Sequence, residues 1–381
     1  MNTIENNTPV DIQVSISVTP VSRYSFYTPC FISENNDVER HIVVSTLKQV
    51  LDAGYESDST AYLYCSLAFA QRQRVDNVVL VAKRSLESYI EAFSNSQTGE
   101  YYYITLESKE VEDVTSLADY FTSKQINKLI FYSKFEDVSS ELKGYKNIVW
   151  WWSTDFWFWD SSSIVMWDSD LDMDLSIAQY PEAAWISRCA NVFPSQMQWL
   201  EKELVGLTSE EESAVPDTDL DYGWEIANEQ EVGWDDDSSA ALQFAQEYDV
   251  RTSLIPEFTT PANYYSTVYD EEVSWGSGCT CNGEWIDNKV FDDWLMWAIQ
   301  RNIWKLIKTS PKISATANGM EQIELKIKEV LQFGLKQQGI QSYKITNRQL
   351  SRVLRTSSFE FEYTRVHAII GVVSVKGVVN V

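Results

Sequence analysis

A chain of 381 residues with 44% hydrophobic and 13% aromatic residues can bury a substantial core, which excludes a disordered tail and leaves two domains or one elaborated domain. Its net charge of -26, from 56 acidic against 30 basic residues, argues against a nucleic-acid-binding surface. No apolar run approaches the roughly 20 residues that span a bilayer, Met1 to Thr8 lacks the character of a signal peptide, and five scattered cysteines fit reduced thiols, so synthesis in a cytoplasm without membrane insertion is expected.

From Asp11 to Thr19 the residues alternate strictly, with Ile12, Val14, Ile16 and Val18 on one face and Gln13, Ser15 and Ser17 on the other. This predicts a β-strand with no obvious partner nearby in the sequence. After a transition bracketed by Pro20 and Pro29, helical spacing predicts helices over Ser45 to Ala53 and Asp58 to Arg74, the second capped by Asp58 or Ser59. Strands are expected at Asn77 to Ala82, Tyr101 to Leu106, Leu129 to Tyr132 and Ile148 to Trp152, alternating with helices at Ser85 to Phe93 and Val111 to Lys124. Alternation over about 100 residues argues for an α/β layer on a largely parallel sheet.

From Trp150 to Gly276 the pattern is irregular, with an aromatic cluster, a helix around Pro181 to Ala190 and an acidic excursion from Ser209 to Asp237 broken by Pro216, Gly223 and Gly233. Thr252 to Ile255 and Tyr264 to Trp275 read as strands, and Gly276 to Gly283 as a turn. Helical intervals then run from Ile286 through Trp294 and Ile303 to a stop at Pro311. A second helix starts near Asn318, with Glu321 completing a capping-box-like pair, and ends at Gly339. A short strand at Tyr343 to Ile345, a basic helical turn from Asn347 to Arg355 and terminal strands complete the chain. Phe359, Phe361 and Tyr363 alternate with Glu360, Glu362 and Thr364, and the last run carries Val373, Val375, Val378 and Val379. Long apolar strands at both termini are hydrogen-bonding edges that template pairing with another chain.

Charge is uneven along the chain. Residues 140 to 284 carry 5 basic against 29 acidic side chains, whereas residues 285 to 381 carry 14 against 8. A basic quarter in an acidic chain suggests an acidic partner, and Arg348, Arg352 and Arg355, at i, i+4 and i+7, are the candidates to face it.

Catalytic readings are weaker. Neither a GxxxxGK[ST] nor a GxGxxG loop occurs, so no nucleotide cofactor is expected. His41 and His367 read as structural or exposed, with no recognisable nucleophile elbow to serve. Asp168, Asp170, Asp172 and Asp174 alternate as calcium ligands might be spaced, yet Met173 stands where the loop needs glycine and Gln179 where it needs a bidentate Glu. Cys279 and Cys281 lack the second pair that a structural zinc requires and read as free thiols near a hairpin. The alternative function lies in the Trp/Asp cluster at 150–174, where Trp157 and Trp159 could stack on sugars and Asp155 or Asp160 could act on a glycoside. Clustered tryptophans also fill cores and interfaces.

The stretch from Asn263 to Ile340 carries a resemblance. "NYYSTV", "GEWIDNKVFDDWLMWAIQRNIWKLI" and "SPKISATANGMEQIELKIKEVLQFGLKQQGI" resemble the tyrosine-containing strand, Asp-Trp helix and second helix of the sheath subunit of contractile phage tails. "FEFEYTRVHAIIGVVSVKGVVNV" is similar to that family's C-terminal strands, and "TAYLYCSLAFAQRQRVDNVVLVAKR" and "YYYITLESKEVEDVTSLADYF" to its outer domain. The Trp cluster and the acidic excursion depart from the family.

The resemblance implies a non-enzymatic, cofactor-free virion protein of a bacteriophage tail, assembled in the host cytoplasm. The implied fold is α+β: a discontinuous inner domain built from both chain ends with donated terminal strands, plus an inserted outer α/β domain. The boundaries are residues 1–24 for the N-terminal arm and part of the inner domain, 25–277 for the outer domain, and 278–381 for the rest of the inner domain with the C-terminal arm. Implied partners are copies of itself in stacked, hexameric rings, the tail tube, and the baseplate and tail terminator proteins. Contraction of the sheath then drives the tube into the host envelope for genome ejection. The arm residues are Ile12, Val14, Ile16, Val18, Val373, Val375, Val378 and Val379, and Arg348, Arg352 and Arg355 are the tube-facing candidates.

Overall fold

The computed structural model describes residues 10–14, 25–96, 98–134, 136–152, 180–205, 259–268, 271–351 and 356–366. Short apolar runs become strands buried on both faces, as a sheet covered by helices requires. They are β2 (Pro29–Glu34), β4 (Val78–Lys83), β5 (Tyr103–Leu106), β6 (Leu129–Lys134) and β7 (Ile148–Trp152), all parallel. At one edge β3 (His41–Val44) runs antiparallel beside β4. At the other the hairpin of β8 (Asn263–Val268) and β9 (Glu271–Gly276) joins β7 through β8, completing the order β3-β4-β2-β5-β6-β7-β8-β9.

Among the described residues the first half of the chain supplies five helices: α1 (Leu47–Asp52), α2 (Thr60–Ala70), α3 (Tyr89–Ser94), α4 (Val111–Lys124) and α5 (Pro181–Cys189). Their ends follow local chemistry. Ser59 accepts from the Tyr62 amide to start α2, Ser88 and Glu91 form a reciprocal capping box on α3, and Gln125 in the left-handed region (φ 54°) stops α4. Alternate strand residues, among them Phe31, Leu80, Tyr103, Phe131 and Trp151, join α2 and α5 in one core. Its centre is aromatic: Trp185 stands 4.9 Å from Trp151 and 5.3 Å from Trp199, and its indole donates to the Trp199 carbonyl at 2.7 Å. The helices α3 and α4 pack against each other through Phe93 and Phe121, 4.8 Å apart.

The last third adds two long helices, α6 (Ile286–Thr309) and α7 (Ala317–Lys336), and two long strands, β10 (Ile340–Ser351) and β11 (Thr356–Arg365). With β1 (Val10–Val14) these strands form a separate antiparallel sheet in the order β1-β11-β10. The result is a mixed α/β chain with one parallel-dominated sheet and one small antiparallel sheet.

Three local expectations are corrected. Asn347 to Ser351 continue β10 rather than forming a helical turn, because the backbone groups from Ile340 to Ser351 pair with β11 in a ladder that overrides the i, i+4 spacing of the arginines. The helix α7 starts at Ala317, as expected near Asn318, but the capping pair of Asn318 and Glu321 does not form: Thr316 is the N-cap and makes no side-chain capping bond. The stretch around Pro29 contains β2, near the middle of the sheet, and is followed by β3, neither of which the alternation signals.

Gly276 ends β9 opposite Asn263, the first residue of β8, with a φ of +109°, and a Cβ there would stand 2.5 Å from the Ala262 carbonyl oxygen. A Gly276→Ala variant is expected to lose about 1–3 kcal/mol, read as a lower urea midpoint with unchanged slope.

Candidate assembly surfaces

The three-stranded sheet holds Ile12 and Val14 of the residues that the sequence offers for pairing with other chains, together with the alternating run from Phe359 to Tyr363. Phe359, Phe361 and Tyr363 on β11 are buried, at 2%, 0% and 1% exposure, and belong to the core that α6 and α7 share. Their polar neighbours Glu360 and Glu362 are half-buried on the other face, so the period-2 pattern becomes one wet and one dry face. The strand β1 lies beside β11 in register, Val10 opposite Tyr363, Ile12 opposite Phe361 and Val14 opposite Phe359. The strand β10 lies on the other side, with Ile345 opposite Phe361 and Arg348 opposite Phe359, and its register shifts between Ile345 and Asn347. Both outer strands of this sheet, β1 and β10, therefore present one edge that no described strand of the same chain covers.

A cluster of charged groups roots this sheet on α6. Asp292 accepts from the Tyr363 hydroxyl and from both Nε (3.0 Å) and Nη2 of Arg365, so one carboxylate holds the last residues of β11, with a bidentate grip on Arg365. Burial pushes the Asp292 carboxyl up, against the pull of the Arg365 guanidinium. The next residue reaches the larger sheet: Asp293 accepts from the Tyr102 hydroxyl at 2.6 Å, just before β5, and pairs with Lys289. Two adjacent acids on α6 thus tie both sheets to one helix. Sequence reasoning passed over them, although two consecutive acids inside an otherwise apolar helix pattern are a usable signal.

Two solved assemblies contain chains that match this one end to end. A chain of the anti-feeding prophage baseplate, determined by electron cryomicroscopy with six-fold symmetrisation, superposes with a TM-score of 0.55 at 10% identity over 100% of both chains. A chain of the PVC sheath complex, an extracellular contractile injection system in its contracted state, gives 0.53 at 12% identity over 99% of this chain and 98% of that one. The fold is that of a contractile sheath subunit. No protein-family model and no curated protein matches the sequence, and at 10–12% identity the likeness is one of fold.

Within the sheath fold the individual candidates fare differently. Ile12 and Val14 fall on β1, while Ile16, Val18, Val373, Val375, Val378, Val379, Arg352, Arg355 and His367 lie outside the described residues. Arg348 sits on a strand, where it donates to Glu324 at 2.9 Å, and Lys328 holds the other Glu324 oxygen at 2.7 Å. Lys328 first and Arg348 second hold the Glu324 carboxyl below its ordinary value. His41 pairs with Glu100 at 3.0 Å. Trp150 and Trp151 are buried in the sheet and unable to stack on a sugar, whereas Asp155, Trp157, Trp159, Asp160 and the alternating aspartates 168–174 lie outside the described residues, as do the expected strand 252–255 and the excursion 209–237. Cys279 and Cys281 are buried free thiols, both pushed up by burial. Among the described residues no group of side chains could hold a metal ion, and no helix is long and apolar enough to cross a membrane.

Proposed function

We propose that this chain is the structural subunit of a contractile sheath, polymerising as rings around a tail tube and contracting to drive that tube through a host envelope. The end-to-end match to a contractile injection sheath, over 99% of one chain and 98% of the other, carries the reading. The rings are hexameric and stacked helically, built in a host cytoplasm into a phage-type tail particle, with a baseplate at one end and a terminator at the other. The inner domain comprises residues 1–24 and 278–381, the outer domain residues 25–277, and Arg348, Arg352 and Arg355 face the tube.

Strand exchange supplies the connections. The open edges of β1 and β10 accept strands from neighbours; Ile12 and Val14 are engaged with β11 at home, so the segments given are the rest of the arm residues, Ile16 and Val18 at one end and Val373, Val375, Val378 and Val379 at the other. Each backbone bond gained is worth about 1 kcal/mol net, while ordering each arm residue costs about 1–2 kcal/mol. One arm is marginal, and stability comes from two arms per subunit acting across many copies.

The test is negative-stain microscopy of the chain expressed with its tube partner. Full-length protein is expected to form long tubes, and removal of residues 1–19 or of residues 367–381 to leave folded monomers with no tubes. Tubes of normal length from either truncated chain would remove the donated arms from the reading, and a full-length chain that stays monomeric would remove the sheath.

A further inference from the structure

The large sheet has two edges of opposite charge. Along the edge where its parallel strands begin, α6 passes two strands in turn: Asp293 meets Tyr102 before β5, and Trp297, one turn on, meets Phe26 before β2 edge to face, with ring centres 5.8 Å apart. The next two turns of α6 and the bend beyond carry Arg301, Lys305, Lys308 and Lys312 at i, i+4, i+7 and i+11, all exposed. From Trp294 to Met320 the sequence holds no acidic residue. Among the described residues these four cations make no ion pair, whereas Arg40, Lys83, Lys109, Lys289, Lys326 and Arg348 all do. Arg301 and Lys308 instead lie over the rings of Trp297 and Trp304, each 5.0 Å from the ring centre, which holds the stripe extended along the helix.

At the opposite edge, where β2, β4 and β5 end, the chain leaves β2 toward β4 and returns to β5 on its other side. This is the switch point at which open α/β sheets form a crevice. The crevice here has a volume of about 420 Å³ and is lined by Glu34, Lys83, Glu87, Tyr89, Glu107 and Asp113. The three loops around it, residues 34–40, 83–87 and 107–113, hold eight carboxylates against four cations. All four cations are engaged at home: Arg40 with Glu87, Lys83 with Glu34, Lys109 with Glu182, and Arg84 with the carbonyls of Asn35 and Val38. Glu39, Glu110 and Glu112 stay exposed, and Leu86 in the same edge is 99% exposed.

We propose that the cationic stripe of α6 in one copy docks on the acidic carboxyl edge of the sheet in a second copy, head to tail. The inference rests on the reading that this chain assembles with itself and specifies a contact within that assembly. A stripe and its complement at opposite ends of strands of about 20 Å cannot meet within one subunit. Two complementary patches that do not overlap make a heterologous contact, which propagates as a ring or an open helix rather than closing a dimer. The exposed Leu86 supplies an apolar centre for Trp304 and Ile307 on the stripe, with charge around it as a rim.

A reciprocal charge exchange tests the contact in the full-length chain. One variant reverses the stripe (R301E, K305E, K308E, K312E) and the other reverses the acidic edge (E39K, E110K, E112K). Every changed side chain is exposed and outside any ion pair among the described residues, so far-UV circular dichroism should match the unmodified chain. Each variant alone is expected to need roughly tenfold or more protein to sediment as assemblies, and an equimolar mixture to recover the original threshold, because every contact in it again joins opposite charges. Either variant assembling alone at the original threshold, or a mixture that stays soluble while the unmodified chain sediments, overturns the contact. Recovery by added tube protein without the second variant assigns the stripe to the tube and overturns it equally. An unmodified chain that never sediments defeats the sheath reading itself, a different failure.

Discussion

Replacing Lys128 with methionine is expected to stabilise the protein by roughly 3 kcal/mol at neutral pH and to lose that advantage by about pH 10. Lys128 is 1% exposed, lies 4.4 Å from the centre of the Tyr101 ring, and donates to the Tyr101 carbonyl beside the Cys30 thiol. Burial lowers its pKa to about 7, with Cys30 pulling weakly the other way. The unfolded chain keeps the ordinary value of about 10.4. Between those values the unfolded state holds a proton that the folded state has released, so stability rises with pH by about 1.4 kcal/mol per unit and is flat below about pH 7. Lys109, also lowered by burial but opposed by Glu182, has the same sign.

The five buried thiols act in the opposite sense. Burial raises all five, so above the unfolded value of about 8.5 the unfolded chain loses protons that the folded chain keeps. Stability of the unmodified chain is therefore expected to rise through neutral pH and fall again at higher pH. The methionine variant should flatten much of the rising limb and leave the falling limb in place. Loss of the bond to the Tyr101 carbonyl offsets about 1 kcal/mol of the gain. Urea midpoints of both chains across this range decide it, and parallel curves would show that Lys128 keeps its proton in the fold.

Much of the fold was legible because its signals are local. Val111–Lys124 and Ile148–Trp152 match their sequence readings residue for residue, since an amphipathic stripe in one and an unbroken apolar run in the other leave few alternatives. The strand β2 was hidden because Pro29 at its first position reads as a break, although a proline at the start of a strand gives up only one donor. The strand β10 was misread because its side chains are mostly half-exposed and polar, so nothing in its period opposed the arginine spacing. Its partner β11, nearby in sequence, supplied the missing constraint. The sheath resemblance was legible in the helices and last strands, yet the charged contacts that root the small sheet join residues 71 and 73 positions apart, and no local pattern carries those.

The root of that sheet yields the other large expected effect. Asp292→Ala removes the only described acceptor of the Tyr363 hydroxyl and the close partner of Arg365, leaving Glu284 at 3.9 Å as the nearest remaining carboxylate. Arg365 is a permanent cation whose side chain is 19% exposed, and its pKa is driven further up by Asp292 despite burial. Breaking such a pair by deleting one partner costs about 3–5 kcal/mol, because the surviving charge remains buried without compensation. Replacing both residues, Asp292→Leu with Arg365→Met, should cost less than Asp292→Ala alone, since no charge is then stranded. A double-mutant cycle by urea denaturation would show this as strong coupling, and additive losses would mean that the two groups do not hold each other. The consequence reaches the whole small sheet, because Arg365 ends β11, to which both β1 and β10 are paired. At a temperature where the Asp292→Ala chain is still folded, its small sheet should exchange amide protons faster than the large one, and the open edges of β1 and β10 should be lost before the core melts.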